Sequence, residues 1–176
     1  AFDVRPLELH VDRLTTIRHE CIATYIGCEI ERSHDGETVF RVFQDFIAGG
    51  SLDSMLRSFG VVSEGQLAKY TMQIVSAVAA LHSNDLAHGA LNNNNIMFDS
   101  NGRIKLVDCG IKHALALVHH VTQPSHEDMV LSDIWDIGAA VVSMATAGKA
   151  LIYGQGRSRR AKAVALPGAM SSDAQE

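Results

Sequence analysis

The spacing of apolar residues divides the chain into an amphipathic opening helix, a short β region, and a longer helical stretch interrupted by one hairpin. Leu9, Val11, Leu14 and Ile17 set an apolar face along the first twenty residues, the period of a helix with one side buried. Arg18-His-Glu-Cys-Ile22 then hands over to a strand-like run. Val39-Phe-Arg-Val-Phe43 is β-branched and aromatic and predicts a buried strand, with His34-Asp-Gly36 before it as a hairpin turn. Ser51 is placed to cap a helix over 52–58. Ser63-Glu-Gly-Gln66 has the form of a capping box, and Leu67, Tyr70, Ile74, Val78 and Leu81 share one face of the long helix that follows. Ser100-Asn-Gly102 predicts a turn between strands over 95–99 and 103–107. A further helix is read from Ser132 through Val141, Val142 and Met144 to Ala147-Gly-Lys149.

Composition narrows the class. The chain has 176 residues, 47% of them hydrophobic, enough for one domain with a real core. A net charge of −5 with mixed signs argues against a nucleic-acid face, and Arg157-Ser-Arg-Arg160 reads as a solvated loop. Cys21, Cys28 and Cys109 form no C-x-x-C pair, and an odd count argues against a disulfide framework. An intracellular, reducing compartment is expected, the cytoplasm first. His113 and His119-His120 lack the spacing of a zinc site. No run reaches the roughly 20 apolar residues that span a bilayer, and Ala1-Phe2-Asp3 carries no positive n-region, so no membrane contact is expected. A start without Met and an end at Ser171-Ser-Asp-Ala-Gln-Glu176 make the chain read as a fragment.

The chemistry lies in two segments. Leu86-Ala-His-Gly-Ala-Leu-Asn-Asn-Asn-Asn-Ile-Met97 is followed by Ile104-Lys-Leu-Val-Asp-Cys-Gly110, and together they resemble the active-site core of a eukaryotic Ser/Thr protein kinase, of the Ste or MAP-kinase-kinase-kinase type, in degenerate form. That family carries H-R-D-L-K-x-x-N in its catalytic loop and D-F-G soon after. Position by position, His88 keeps the His, Gly89 replaces the Arg, Ala90 replaces the catalytic Asp, Leu91 is kept, and Asn92 stands for the Lys. Asn95 falls on the metal-binding Asn, and Asp108-Cys-Gly110 matches D-F-G with Cys for Phe. Ala48-Gly-Gly-Ser-Leu52 is similar to the start of the first large-lobe helix, and Ser132-Asp-Ile-Trp-Asp-Ile-Gly138 to the central large-lobe helix. The likeness covers roughly 7–153 and, more weakly, 166–176.

The resemblance implies an α+β, protein kinase-like fold: a truncated small lobe and hinge over 1–47, and a mainly helical large lobe over 48–176, incomplete at its C-terminus. It implies nucleotide contacts at Gln44, Asp45, Ile47 and Met97 around the hinge, and metal ligands at Asn95 and Asp108. His88 and Asp133 would be structural anchors, Asp133 holding the catalytic loop through its backbone. Residue by residue, Asn95 reads equally as a turn amide, Asp108 as a carboxylate capping the Gly110 turn, and Cys109 as a small core residue.

The departures from the family point one way. A methyl at Ala90 cannot accept a proton, and a positioned base contributes about 100- to 10,000-fold in rate. Asn92 removes a charge that would stabilise a transferred phosphoryl group. His10 occupies the place of the helix Glu that pairs with the strand Lys, and upstream of Leu7 no room is seen for that Lys or a Gly-rich loop. No A-P-E closes the segment after Gly110; Pro124-Ser-His-Glu127 is a faint echo. Gly89 removes the partner of a phosphorylated activation loop. The expected function is an inactive kinase-like domain, a pseudokinase scaffold or regulatory subunit in a protein complex. Proteins would dock on the first helix around His10 and Arg13 or beside 52–59. No cofactor is required, with ATP and Mg²⁺ bound at most weakly. The alternatives are a divergent ATP-dependent Ser/Thr kinase, with Asp85, Asp99 or Asp136 as the nearby acids, and a nucleotide-binding switch without turnover, held by Asn95 and Asp108.

Overall fold

The computed structural model describes residues 3–32, 38–119, 121–148, 152–153 and 160–161. In chain order these form α1 (Arg5–Thr16), β1 (Tyr25–Arg32), β2 (Thr38–Gln44), α2 (Leu52–Phe59), α3 (Glu64–His82), β3 (Ile96–Phe98), β4 (Ile104–Leu106), α4 (Ile111–Val118), α5 (His126–Thr146), β5 (Ile152–Tyr153) and β6 (Arg160–Ala161). The strands make three antiparallel pairs, β1–β2, β3–β4 and β5–β6. This is a protein kinase-like α+β arrangement. The expected turn at 34–36 and the segment 166–176 lie outside the described residues, as does most of the basic run 157–160.

Helix α1 buries Leu7, Val11 and Leu14, the i, i+4, i+7 stripe of a one-sided helix. Leu9, expected on that face, is 63% exposed, because two residues from Leu7 is about 200° around a helix. Ile17 lies just past the helix end and is buried there. Strands β1 and β2 cross α1 with Cys28↔Val42 and Ile30↔Phe40 in register. Cys28, Phe40 and Val42 pack toward Leu7, Val11, Ala114 and Val118. The expectation of a buried strand at Val39–Phe43 fails, since Val39 and Phe43 are exposed. Among the described residues the two-stranded sheet is covered by a helix on one face, so alternate residues face solvent.

The chain then turns at Gly49-Gly50 against β3. Gly49 N–H donates to Phe98 O at 2.8 Å, and Phe98 N–H to Gly50 O at 2.9 Å. A Cβ on Gly49 would lie 2.5 Å from Phe98 O, whereas Gly50 sits at φ +78°. Helix α2 starts from a reciprocal Ser51/Ser54 cap and α3 from a Ser63/Gln66 capping box, so each start is fixed by side chains satisfying the first free amides. Buried Leu67, Ile74, Ala77, Val78 and Leu81 make α3 the spine of the main core, which also takes in Leu52, Leu56, Ile96, Ile104, Leu106 and Met144. Tyr70 meets Phe98 edge-to-face at 5.1 Å.

Helix α5 begins at His126, six residues before the sequence reading starts it, because Ser125 caps it by accepting the Asp128 N–H at 3.1 Å. By length and composition α5 is apolar enough to cross a bilayer, correcting the expectation that no segment reaches that length. A core helix passes the same test, and this one carries the buried Asp133. Strand β4 is tied back to the segment after α1: Ala23 N–H donates to Leu106 O and Leu106 N–H to Cys21 O, both at 2.9 Å.

Candidate functional site

The loop between α3 and β3 is built around one carboxylate. Asp133, fully buried on α5, accepts the His88 N–H on Oδ2 and the Gly89 N–H on Oδ1, each at 2.8 Å. His82, at the end of α3, lies 2.9 Å from Oδ2 as well. Asp133 thus joins α3, the loop and α5 at one point. The His88 ring is also fully buried, and neither of its nitrogens has a hydrogen-bond partner among the described residues. Burial lowers its pKa, so the ring is held neutral.

Beyond this anchor the loop folds on its own backbone. The Ala90 carbonyl accepts from the Asn92 side-chain amide at 2.8 Å and from the Asn95 side-chain amide at 2.9 Å. Asn92 Oδ1 in turn accepts the Asn94 N–H at 2.8 Å. Asn92 and Asn95 therefore act on the shape of the loop, and each keeps its amide nitrogen turned toward Ala90. Val107 N–H donates to Asn95 O at 3.0 Å, bringing the loop beside the residue that precedes Asp108.

Asp108 sits at φ 57° and is exposed, with no hydrogen bond to its carboxylate among the described residues. The expected carboxylate cap of the Gly110 turn is corrected here: the turn is closed by the main-chain carbonyl of Asp108, which accepts the Ile111 N–H at 3.3 Å. Asn95 Oδ1 and the Asp108 carboxylate are the oxygens that this site offers a hard cation. Among the described residues no three His, Cys, Asp or Glu side chains gather around one point.

The next two residues are held from three sides. Cys109 N–H donates to the Tyr25 hydroxyl at 2.8 Å, and Gly110 N–H to His88 O at 2.8 Å. His10 Nε2 lies 2.8 Å from Cys109 O; a carbonyl only accepts, so Nε2 carries the proton. Burial lowers the His10 pKa, the Cys109 contact opposes that, and His113 and Arg13 add to it. Burial likewise pushes the Tyr25 phenol up, and the Cys109 thiol to about 12. Cys109 is buried in the main core.

Ile47 and Met97 come together with Ala23 and Val107 in a small apolar cluster. Gln44 Oε1 is buried without a partner among the described residues, while Asp45 is exposed. The α1 surface expected to receive partners is largely committed internally. His10 turns inward, and Arg13 Nη2 donates to Asn84 O at 2.6 Å and Asp85 O at 3.2 Å. Of the candidate acids, Asp85 occupies an αL turn position and Asp99 Oδ1 accepts from Asn101 N–H and Arg103 N–H at 2.8 and 2.9 Å.

Two features escaped the sequence reading. Tyr25 carries no motif and shows only as one aromatic in a strand. Helix α4 occupies a segment to which the linear pattern assigns no element, although Ile111, Ala114, Leu115 and Val118 have helical spacing.

Comparison with known proteins agrees with this geometry. The protein kinase domain model matches residues 8–167. The chain is 33% identical over 166 residues to mitogen-activated protein kinase kinase kinase 19 of Mus musculus, covering 82% of this chain and 12% of that protein. It is 31% identical over 161 residues to mitogen-activated protein kinase kinase kinase 3 of Mus musculus, covering 82% of this chain and 25% of that one. The chain thus spans a quarter or less of these relatives. Among solved structures it resembles the PAN3 pseudokinase of Neurospora crassa, with TM-score 0.66 and 23% identity over 78% of this chain and 35% of that one. It also resembles Rad53 in complex with AMP-PNP, with TM-score 0.67 and 22% identity over 86% of this chain and 40% of that one. At such identities the structural likeness concerns the fold alone. The match over residues 8–167, with the loop at 88–89 held by Asp133, places this chain in the protein kinase domain family.

Proposed function

We propose that this kinase domain is catalytically inactive and serves as a scaffold or regulatory subunit within a protein complex. The observation that carries the reading is Ala90, where the family places its proton acceptor. Its side chain is a methyl that accepts no proton, and its carbonyl is engaged by the Asn92 and Asn95 amides. Asn92 brings no charge, and His10 offers α1 an imidazole in place of a carboxylate. Each change removes a separate part of the transfer machinery. Lys105 is no substitute, since its ammonium reaches toward Ile22 O.

The site retains a fragment of nucleotide chemistry. Ile47 and Met97 would face a base, and Asn95 Oδ1 with the Asp108 carboxylate would hold one Mg²⁺ against phosphate oxygens. A six-coordinate ion given two protein oxygens takes its remaining ligands from phosphate and water, which makes for weak binding. The exposed carboxylate of Asp108, without a hydrogen bond among the described residues, favours this second reading, a nucleotide-binding switch without turnover, as an addition to the scaffold role.

Incubation with labelled ATP, Mg²⁺ and a general protein substrate tests inactivity: no transfer above a no-protein control is expected, and transfer abolished by Asp108→Ala would overturn it. A thermal-shift titration with ATP and Mg²⁺ tests the switch, because a ligand that binds only the folded state must stabilise it. A saturable shift lost in both Asn95→Ala and Asp108→Ala supports nucleotide binding; no shift at millimolar ATP rejects it. Recovery of the native protein as a lone monomer at cellular concentration would count against the scaffold role.

A further inference from the structure

We infer that His10 is a latch that locks α1, the turn at 108–110 and α4 into one mechanical unit. Three successive backbone groups are gripped by three different elements. Cys109 N–H is held by Tyr25 of β1, Cys109 O by His10 of α1, and Gly110 N–H by His88 O of the loop. Helix α4 starts at the next residue, with Gly110 as its N-cap at φ 69° and Ala114 N–H donating to Gly110 O at 3.0 Å. Whatever holds the 109–110 peptides therefore holds the first turn of α4.

The same face of α1 grips α4 a second time. Leu7 and Val11, one turn before His10 and one residue after it, are buried against Ala114 and Val118. The fit around the ring leaves no slack, since a Cβ on Gly110 would overlap His10 Cε1 and Nε2. Gly110 is thus required twice, by its left-handed backbone and by the imidazole lying on it. Moving α1 outward breaks the Nε2–H···O bond and separates both apolar pairs at once. The position of α1 and the folding of α4 are one variable. The latch is made by contacts among α1, β1, the loop and α4, and it holds whether or not the domain transfers phosphate or binds nucleotide.

Amide hydrogen exchange on the intact protein tests this. His10→Leu keeps an apolar filler but deletes the hydrogen bond. It is expected to speed exchange of the Cys109, Gly110 and Ala114 amides by about tenfold, the scale of one lost hydrogen bond, while the Ile74 and Val78 amides in α3 keep their wild-type rates. His10→Gln, which retains a side-chain N–H donor, is expected to restore most of the protection. Gly110→Ala attacks the contact from the other side and is expected to speed exchange at Ala114 and in the α1 amides around Val11. Wild-type rates at Ala114 in His10→Leu would overturn the latch. So would equal acceleration in α3 and α4, which marks a general loss of stability, and so would a Gly110→Ala effect confined to α4.

Discussion

Asp133 gives one carboxylate oxygen to the His88 amide and the other to the Gly89 amide, both at 2.8 Å, from a position with no solvent exposure. The α5 helix therefore sets the path of the loop directly, through its backbone. Asp133→Ala leaves both amides without that acceptor, and an orphaned buried polar group costs about 1–3 kcal/mol. A loss of about 3 kcal/mol is expected, read as a lower urea midpoint. Asp133→Asn, which keeps one acceptor oxygen, should lose about half of that. A midpoint unchanged in Asp133→Ala would show that the loop holds its own shape.

Acid should destabilise the fold through its buried imidazoles. His10 and His88 both have folded-state pKa values below the ordinary 6.5, chiefly because burial disfavours the charged ring. The unfolded chain then binds protons first as pH falls, so stability is fully present above the unfolded value of 6.5 and declines below it, toward the lowered folded values. The melting temperature is expected to drop between about pH 7.5 and about pH 5.5, with a shallower drop in His10→Leu. A melting temperature that rises over that interval contradicts the assignment.

Supplying a carboxylate at position 90 alone should not produce phosphate transfer. In Ala90→Asp the loop gains a proton acceptor, yet Asn92 supplies no charge to a phosphoryl group and His10 still occupies the α1 position. Groups that act as a unit do not add singly. No phosphate transfer from labelled ATP is expected; turnover by this single variant would mean that the other departures are tolerated.

The three thiols should separate by reactivity. Cys21 and Cys109 are buried, with the Cys109 thiol pushed up to about 12, whereas Cys28 is half-buried beside the exterior of α1. Only the thiolate reacts. Alkylation of the native protein, followed by peptide mass spectrometry, should label Cys28 first and reach Cys21 and Cys109 only after unfolding. Early labelling of Cys109 would show that the turn at 108–110 opens in the native state.

What could be read from the sequence was whatever rests on local chemistry. The Ser51 and Ser63 caps, the Asn-Gly turn and the core face of α3 are set by residues within a few positions of one another, so they show in the linear pattern. The order of motifs around His88, Asp108 and Asp133 was also legible, since each motif is short. Pairings across long separations were not. Cys109 meets His10 and Tyr25 across 99 and 84 residues, and nothing in either partner's neighbourhood marks it for that role. The exposure of β2 was misread for a related reason: β-branched and aromatic residues report that a strand forms, and leave open how many of its faces are covered. Leu9 is as apolar as Leu7 and Leu14 yet faces outward, because apolar character alone leaves the angle around the helix open.

The two adjacent glycines at the start of the α2 approach illustrate how identical letters diverge in what they permit. A saturation library at Gly50 should still recover Asn, and to a lesser extent Asp, because these residues tolerate φ near +78°. At Gly49 the obstacle is the Phe98 carbonyl, 2.5 Å from any Cβ, and no choice of side chain removes it. One position therefore has a short list of acceptable residues, and its neighbour has a list of one.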